Sequence, residues 1–171
     1  TWDGVPLTIR AGTVTCFDPI PLNAGEAVSR GIEVETQWYA TESLRLDFGA
    51  NYKNAEYTED APKAGVVDGE RLPGSADYSA YLRLQYDFDL NGYASYLRSG
   101  YSDMGGYFNN AQETGDELGK YGKLDISAGI TIDQVNLEFF ANNLTNTDEL
   151  TWLDSVFPPE DNRGYRPRPR T

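Results

Sequence analysis

The chain has 171 residues, a formal net charge of −13, no histidine and a single cysteine, Cys16. The length suits one domain, the acidic balance argues against a nucleic-acid partner, and the missing histidines exclude Cys/His metal sites and Ser–His or Cys–His catalysis within this chain. Aromatic residues make up 13% of the chain, which argues against disorder. The sequence contains no run of about 18 apolar residues, so it predicts no transmembrane helix.

Apolar and polar residues alternate with a period of two through most of the chain, which is typical of β-strands. The alternating stretches are residues 31–39, 44–57, 78–88, 93–102, 121–132 and 135–143, and residues 5–11 are a candidate for the end of an earlier strand. No stretch shows helical periodicity. The sequence therefore predicts an all-β fold.

The connections between these strands are alternately short and long. The short ones are residues 40–43, 89–92 and 133–134, and the long ones are residues 12–30, 58–77, 103–119 and 145–165. In an antiparallel meander this alternation places every short turn at one end and every long loop at the other, as in an up-and-down outer-membrane barrel. A Greek-key sandwich has no reason to maintain it. We therefore predict an up-and-down antiparallel meander.

The period-two pattern also predicts which side chains share a face. Leu82, Leu84, Ile126, Ala128 and Ile130 are expected to face lipid, and Arg83, Gln85, Asp125 and Ser127 to face a wet lumen. Polar faces of this kind would equally suit the solvent face of a sandwich. A lysine or arginine at Leu84 should destabilise an inserted barrel by ~2–4 kcal/mol near the bilayer midplane, whereas the same change at Gln85 should cost little.

Aromatic residues concentrate near the strand ends, which favours two girdles at the two membrane interfaces. The residues beside short turns are Trp38, Tyr39, Tyr86, Phe88, Tyr93 and Tyr96, and those beside long loops are Tyr52, Tyr57, Tyr78, Tyr81, Tyr101 and Tyr121. The alternative interpretation is ordinary β-propensity, because tyrosine favours strands.

Four segments carry a family resemblance. They are NAGEAVSRGIEVETQW, with Asn23, Gly25, Ala27, Ser29, Gly31, Glu33 and Glu35 at alternate positions; GERLPGSADYSAYLRLQYDF, with Gly69, Arg71, Leu72 and Pro73 at the loop end; LEFFANNLTNTDE, with the turn at residues 143–146; and RGYRPRPRT at residues 163–171. In this order and at this spacing they resemble the barrel of TonB-dependent outer-membrane receptors.

The resemblance implies that residues 1–171 are the C-terminal portion of a large transmembrane β-barrel with about twenty-two strands, without the plug domain. Such receptors lie in the outer membrane of Gram-negative bacteria. They bind a bulky scarce nutrient, often an iron–siderophore complex, and import it with energy that TonB delivers through the plug. The last strand is expected to begin near Arg170 and to continue for about 10 residues past Thr171, the length of one tilted membrane-crossing strand.

Candidate sites in the sequence have ordinary structural explanations beside the functional ones. Glu33 and Glu35 share one strand face, and a lumen wall explains them better than paired carboxylate catalysis. The acidic loops lack the regular spacing of a calcium loop. We predict no enzyme activity, no catalytic residue, no metal site and no cofactor. Loop aromatics are candidate ligand contacts: Tyr107, Phe108, Trp152 and Phe157.

Three further expectations remain open at this stage. Cys16 is predicted to lie in a loop and could pair only outside this chain. The Asn143-Leu144-Thr145 triplet matches a glycosylation pattern, but a tight asparagine-rich turn is the better interpretation. Two other classes of protein stay possible on sequence alone: a small eight-stranded outer-membrane barrel with a structural or adhesive role, and a secreted carbohydrate-binding β-sandwich.

Overall fold

Six long antiparallel strands form a single sheet in the computed structural model, which describes residues 25–154, 163–166 and 168–171. The strands are β1 (Ala27–Tyr39), β2 (Leu44–Tyr57), β3 (Tyr78–Leu90), β4 (Tyr93–Met104), β5 (Tyr121–Ile132) and β6 (Val135–Ala141). Each strand pairs with its neighbour in the chain, so the sheet order is β1-β2-β3-β4-β5-β6. This confirms the predicted all-β meander, and its sequential pairing rules out a Greek-key sandwich for the described residues.

Several predicted boundaries were wrong. β1 begins at Ala27 rather than residue 31, because Ala27 to Arg30 pair with the end of β2 although they do not alternate in polarity. β6 ends at Ala141 rather than residue 143. The predicted loop at residues 145–165 contains a short antiparallel pair, β7 (Trp152–Asp154) with β8 (Arg163–Tyr165).

Other predictions fall outside the described residues. These are the candidate strand end at residues 5–11, Cys16 and Phe157. The described part of the chain contains one short 3₁₀ turn, Pro62–Ala64, and no helix with the length and apolarity to cross a bilayer.

The short turns contain residues whose backbone angles or side-chain hydrogen bonds favour a tight turn. Asn91 and Gly92 both adopt positive φ angles, of 56° and 88°, as a primed two-residue hairpin turn requires. The backbone N–H of Gly92 donates to Oδ1 of Asp89 at 2.6 Å. In the first turn, Oγ1 of Thr41 accepts from the backbone N–H of Leu44 at 3.0 Å. These local bonds stabilise the β1–β2 and β3–β4 turns in the register that the strands adopt.

The register places apolar side chains on one face of the sheet across all six strands, because directly opposed residues in an antiparallel pair lie on the same face. One row runs from Leu46 through Leu84, Ser99 and Ile126 to Ala141. The exposed large side chains on this face are Ile32, Val34, Trp38, Phe48, Tyr52, Tyr78, Leu82, Leu84, Tyr86, Leu90, Tyr93, Leu97, Tyr101, Ile126, Val135, Leu137 and Phe139. Ala128 and Ile130 lie on the same face.

The opposite face is polar. Arg83, Gln85, Asp125 and Ser127 lie on it, as the pattern predicted. Neither face of the sheet carries a packed core. The buried apolar side chains of the described residues are Ala55, Val66, Ala111 and Leu118, all at the end of the sheet with the long loops. The packed interior of this segment therefore lies among the loops rather than on the sheet.

Candidate functional site

The polar face forms a groove of about 780 Å³ over β2 to β6. Its charged lining residues are Arg45, Asp47, Arg83, Arg98, Asp125 and Glu138. Glu33 and Glu35 lie on the same face, opposite Asn51 and Gly49. Both signs of charge therefore line one continuous wall, which suits contact with water and polar solutes.

A row of three polar side chains crosses the centre of this groove. Arg45 lies directly opposite Gln85 on β3, and Gln85 lies opposite Arg98 on β4. Oε1 of Gln85 accepts from Nε of Arg98 at 2.9 Å and from Nη2 of Arg45 at 3.4 Å. Nε2 of Gln85 donates to both carboxylate oxygens of Asp87, at 2.9 and 3.1 Å. The glutamine thus orients two guanidinium groups on neighbouring strands.

Two tyrosine rings lie along the same face, each over a glycine of the neighbouring strand. Tyr81 is opposite Gly49, and Tyr96 is opposite Gly129. A Cβ atom on either glycine would overlap the tyrosine ring. The absence of a side chain at Gly49 and Gly129 is therefore what lets the two rings rest against the wall.

At the end of the sheet opposite the short turns, three long loops are hydrogen-bonded to one another. We call them the loop cluster: residues 58–77, 105–120 and 142–151. The backbone N–H of Gly74 donates to the carbonyl of Phe108 at 2.8 Å, and Nε2 of Gln112 donates to the carbonyl of Gly65 at 2.6 Å. The backbone N–H of Gly119 donates to the carbonyl of Leu150 at 2.7 Å. The three loops form one packed unit.

Arginine and buried apolar contacts reinforce the loop cluster. Arg71 forms ion pairs with Asp77 in its own loop and with Glu113 in the next loop, the latter at 3.2 Å between Nη1 and Oε1. Leu118 is 1% exposed and pairs with Tyr107 across its own loop. A loop that is already ordered by backbone and side-chain contacts loses less conformational entropy when a ligand binds.

The structure places the predicted ligand contacts unevenly. Tyr107 and Phe108 are half-buried in the loop cluster, and the hydroxyl of Tyr107 donates to the carbonyl of Thr151. The backbone of Trp152 pairs with Tyr165 in the β7–β8 hairpin. These aromatics lie in or next to the loop cluster. Their contact with a ligand stays a prediction.

The loop cluster should loosen at alkaline pH through Tyr107. Burial raises the pKa of the Tyr107 phenol above its usual value of 10.0. A folded-state pKa above the unfolded value gives stability that is complete below about pH 10 and is lost as the pH rises through the folded pKa, because the phenolate can no longer donate to Thr151. We expect proteolytic cleavage of the loops to accelerate above about pH 10.

The control for this prediction is Tyr107→Phe. It removes the titrating group together with its hydrogen bond, so cleavage should be faster at neutral pH and should gain little further speed as the pH rises. A wild-type alkaline acceleration that persists unchanged in Tyr107→Phe would assign the loosening to other groups.

Only part of the aromatic set lies on the face that the girdle prediction requires. Register places Trp38, Tyr86, Phe88 and Tyr93 on the apolar face beside short turns, and Tyr52, Tyr78 and Tyr101 on it beside long loops. Tyr39, Tyr57, Tyr81, Tyr96 and Tyr121 lie on the polar face instead. The face of each tyrosine depends on whether its position in the strand is odd or even. The prediction used only its distance from a turn, which does not determine the face.

No group of three or more His, Cys, Asp or Glu side chains in the described residues is arranged to hold a metal ion. Sequence reasoning also missed the burial and the hydrogen bonds of the Asn143 side chain. This side chain is 2% exposed and bonds to the backbone of Thr147 in its own turn and to the carbonyl of Arg168. The asparagine-rich turn was correctly predicted, but its burial and its reach to Arg168 depend on contacts between distant residues.

A meander sheet with one apolar and one polar face, with short turns at one end and long loops at the other, has the architecture of a β-barrel wall. A family model described as "TonB dependent receptor-like, beta-barrel" matches residues 4–144. The chain belongs to this family of TonB-dependent receptors. The predicted fold and family resemblance are thereby confirmed, and the family is one of transport receptors rather than enzymes.

Two solved structures share this fold. The ferric yersiniabactin uptake receptor FyuA from Yersinia pestis superposes with a TM-score of 0.74 at 21% identity, over 86% of this chain and 23% of that protein. BauA, the ferric preacinetobactin receptor from Acinetobacter baumannii, superposes with a TM-score of 0.68 at 22% identity, over 87% of this chain and 22% of that protein. The chain thus spans less than a quarter of the length of either receptor.

Proposed function

We propose that this chain forms part of the barrel wall of an outer-membrane receptor that imports a bulky, scarce nutrient with energy from TonB. The observation that carries the proposal is the division of one continuous sheet into an apolar face and a polar face. Soluble monomers rarely expose an apolar surface that runs across six strands. A bilayer on the apolar side and a polar barrel interior on the other side account for both faces.

The sheet belongs to a larger closed wall in this proposal. Within the six-stranded sheet, β1 pairs only with β2, and β6 pairs only with β5. Unpaired backbone groups at a lipid-facing edge are costly because no water reaches them. Further strands of the parent protein would complete the wall, and residues 1–171 would be its C-terminal portion. The plug domain, which is the contact with TonB, would lie elsewhere in the parent.

We further propose an iron–siderophore complex as the ligand. The two structural neighbours are the ferric yersiniabactin uptake receptor FyuA and the ferric preacinetobactin receptor BauA. Their identity to this chain is low enough that they support the fold and leave the ligand to be tested. In this proposal the loop cluster lies at the outer end of the barrel, where a ligand would enter. Tyr107 and Phe108, with Trp152 and Phe157, are the proposed aromatic contacts.

The test is iron uptake by the intact parent receptor. We expect deletion of its gene to abolish growth on one ferric siderophore from a panel of purified complexes, under iron limitation. Full-length protein should restore growth in a strain with TonB and should fail in a strain without it. Restored growth without TonB would contradict energised uptake. Unchanged growth of the deletion strain on every complex would contradict the siderophore assignment.

A further inference from the structure

Arg71 is fixed to the end of the sheet through its backbone. The carbonyl of Glu70 and the backbone N–H of Leu72 are hydrogen-bonded to β2, at 2.8 and 2.9 Å. These two bonds flank an antiparallel bridge between Arg71 and Glu56. The first loop of the loop cluster, residues 58–77, therefore returns along β2, and the part that contains Arg71 extends the sheet.

The guanidinium of Arg71 joins this first loop to the second loop, residues 105–120. It forms ion pairs with Asp77 and with Glu113, the latter at 3.2 Å between Nη1 and Oε1. Asp77 is also held by the sheet, because its carbonyl accepts from the backbone N–H of Lys53 at 2.8 Å. Glu113 belongs to the second loop. The side chain of Arg71 thus links a segment that the sheet holds to a loop that projects beyond the sheet.

The contact between the two loops is closed. The cavity left between them has a volume of about 10 Å³, which is the space of about one water molecule. Its lining includes Arg71, Leu72 and Ser75 from the first loop and Tyr107, Phe108 and Glu113 from the second. A ligand could enter this contact only if the loops separated.

Separation of the two loops would break bonds at three different points. The Arg71–Glu113 ion pair is one of them. The others are the 2.8 Å bond from the backbone N–H of Gly74 to the carbonyl of Phe108 and the 2.6 Å bond from Nε2 of Gln112 to the carbonyl of Gly65. A partly exposed ion pair contributes little by itself. Among these three contacts, however, only the ion pair is made by two side chains that carry charge, so it can be removed without a change in the backbone.

We propose that Arg71 is a positioning residue for ligand capture. It holds the loop that carries Tyr107 and Phe108 in a fixed place relative to the sheet, and the two loops stay joined when the ligand binds. A loop that is already in place loses little conformational freedom on binding, so Arg71 should affect the affinity for the ligand rather than the rate of import. This role rests on the proposed function, because the ligand is the one that the receptor imports.

The first test measures the distance between the two loops in the full-length parent receptor, by double electron–electron resonance in bilayers. Spin labels are attached at Val67→Cys in the first loop and at Asp116→Cys in the second, both exposed positions, after all other cysteines are replaced by serine. We expect one narrow distance distribution, which stays unchanged when the purified ferric complex that sustains growth in the uptake test is added. A second, longer distance in the presence of that complex would overturn the proposal.

The second test uses variants of the ion pairs. Glu113→Gln removes only the ion pair between the loops, and Arg71→Gln removes the pairs with both carboxylates. We expect each to broaden the distance distribution and to raise the half-saturating concentration for uptake of the ferric complex about fivefold, equivalent to about 1 kcal/mol, with an unchanged maximal rate. Arg71→Lys keeps the charge but loses the planar fork, so its effect should lie between those of wild type and Arg71→Gln.

The matched control is Glu117→Gln. Glu117 lies in the same loop with similar exposure, but its ion pair, at 4.0 Å, is with Lys120 in that loop. This variant should leave the distance distribution and the half-saturating concentration unchanged. Correct folding of each variant is checked first, by its heat-modifiable migration on gels.

Three results would overturn the positioning role of Arg71. They are an unchanged distance distribution in Arg71→Gln, an equally broad one in Glu117→Gln, and a lower maximal rate of uptake without a change in the half-saturating concentration. The distance distributions of the receptor without ligand require no ferric complex. Growth on ferric siderophores tests the proposed function, so the two proposals can fail separately.

Discussion

Replacement of Leu84 by lysine should lower the free energy of unfolding of the membrane-inserted parent receptor by ~2–4 kcal/mol, if Leu84 lies near the bilayer midplane. Leu84 is at the centre of β3 on the apolar face, opposite Leu46 on β2 and Ser99 on β4. A lysine there would either hold its charge in hydrocarbon or stretch to the interface, and both are costly. The prediction follows directly from the proposed lipid contact of this face.

The control for Leu84→Lys is a lysine substitution on the polar face, and the structure shows that Gln85 is a poor position for it. The sequence pattern alone predicts that a lysine at Gln85 costs little. In the structure, however, Gln85 accepts hydrogen bonds from Arg45 and Arg98, so a lysine there would add a third cation and remove the acceptor. Asn51→Lys is the better control, because Asn51 lies on the polar face between Ser79 and Glu33. Its expected cost is close to zero.

Both variants are compared by reversible denaturant unfolding in bilayers. A cost at Asn51 equal to that at Leu84 would reject the assignment of the two faces. An inexpensive lysine at both positions would show that neither face meets hydrocarbon, and the proposed membrane orientation would fail with it.

The sheet could be predicted from the sequence because each strand has its own local pattern of apolar and polar residues. A period of two indicates a strand and also the face on which each of its residues lies. Leu82, Arg83 and Leu84 could therefore be assigned to a face without knowing which residues they pair with. Loop lengths then fixed the order of pairing. Ala27 to Arg30 were missed because they pair by backbone alone, and backbone pairing leaves no hydrophobic pattern.

The loop cluster was not readable, because its contacts join residues that are far apart in the chain. Arg71 and Glu113 form an ion pair, and Tyr107 reaches the carbonyl of Thr151. No periodicity links such positions. The two glycine–tyrosine contacts of the polar face, Gly49 with Tyr81 and Gly129 with Tyr96, lie between these extremes. Tyr81 and Arg83 share a face by simple alternation, but the role of Gly49 depends on the register between β2 and β3.

The largest effect in the turn after β6 is expected at Asn143. Oδ1 of Asn143 accepts from the backbone N–H of Thr147 at 2.9 Å, and Nδ2 donates to the carbonyls of Thr147 at 3.0 Å and Arg168 at 2.9 Å. The side chain thereby joins its own turn to the segment at residues 168–171. The backbone of Thr171 in that segment pairs with Asn142 at the end of β6. Asn143 positions this segment beside the sheet.

We therefore expect Asn143→Gly to lower the free energy of unfolding of the parent receptor by about 2–4 kcal/mol, since it removes three partly buried hydrogen bonds and each typically contributes about 0.5–1.5 kcal/mol. Glycine is chosen because Asn143 has a φ of 53°, which glycine adopts without strain. The matched control is Asn146→Gly in the same turn. Asn146 has the same φ of 53° but is exposed, and its side chain makes no such set of bonds.

Because both substitutions start from the same backbone angle, the difference between them reports the side-chain hydrogen bonds of Asn143 rather than backbone strain. Asn146→Gly should change the unfolding free energy by less than about 0.5 kcal/mol, as surface substitutions usually do. The measurement is denaturant unfolding in bilayers, together with the amount of heat-modifiable barrel recovered from cells. Loss of the bond to the Arg168 carbonyl should also expose residues 168–171 to protease. An Asn143→Gly receptor as stable and as protected as Asn146→Gly would show that the strand edge of β6 holds this segment without the asparagine.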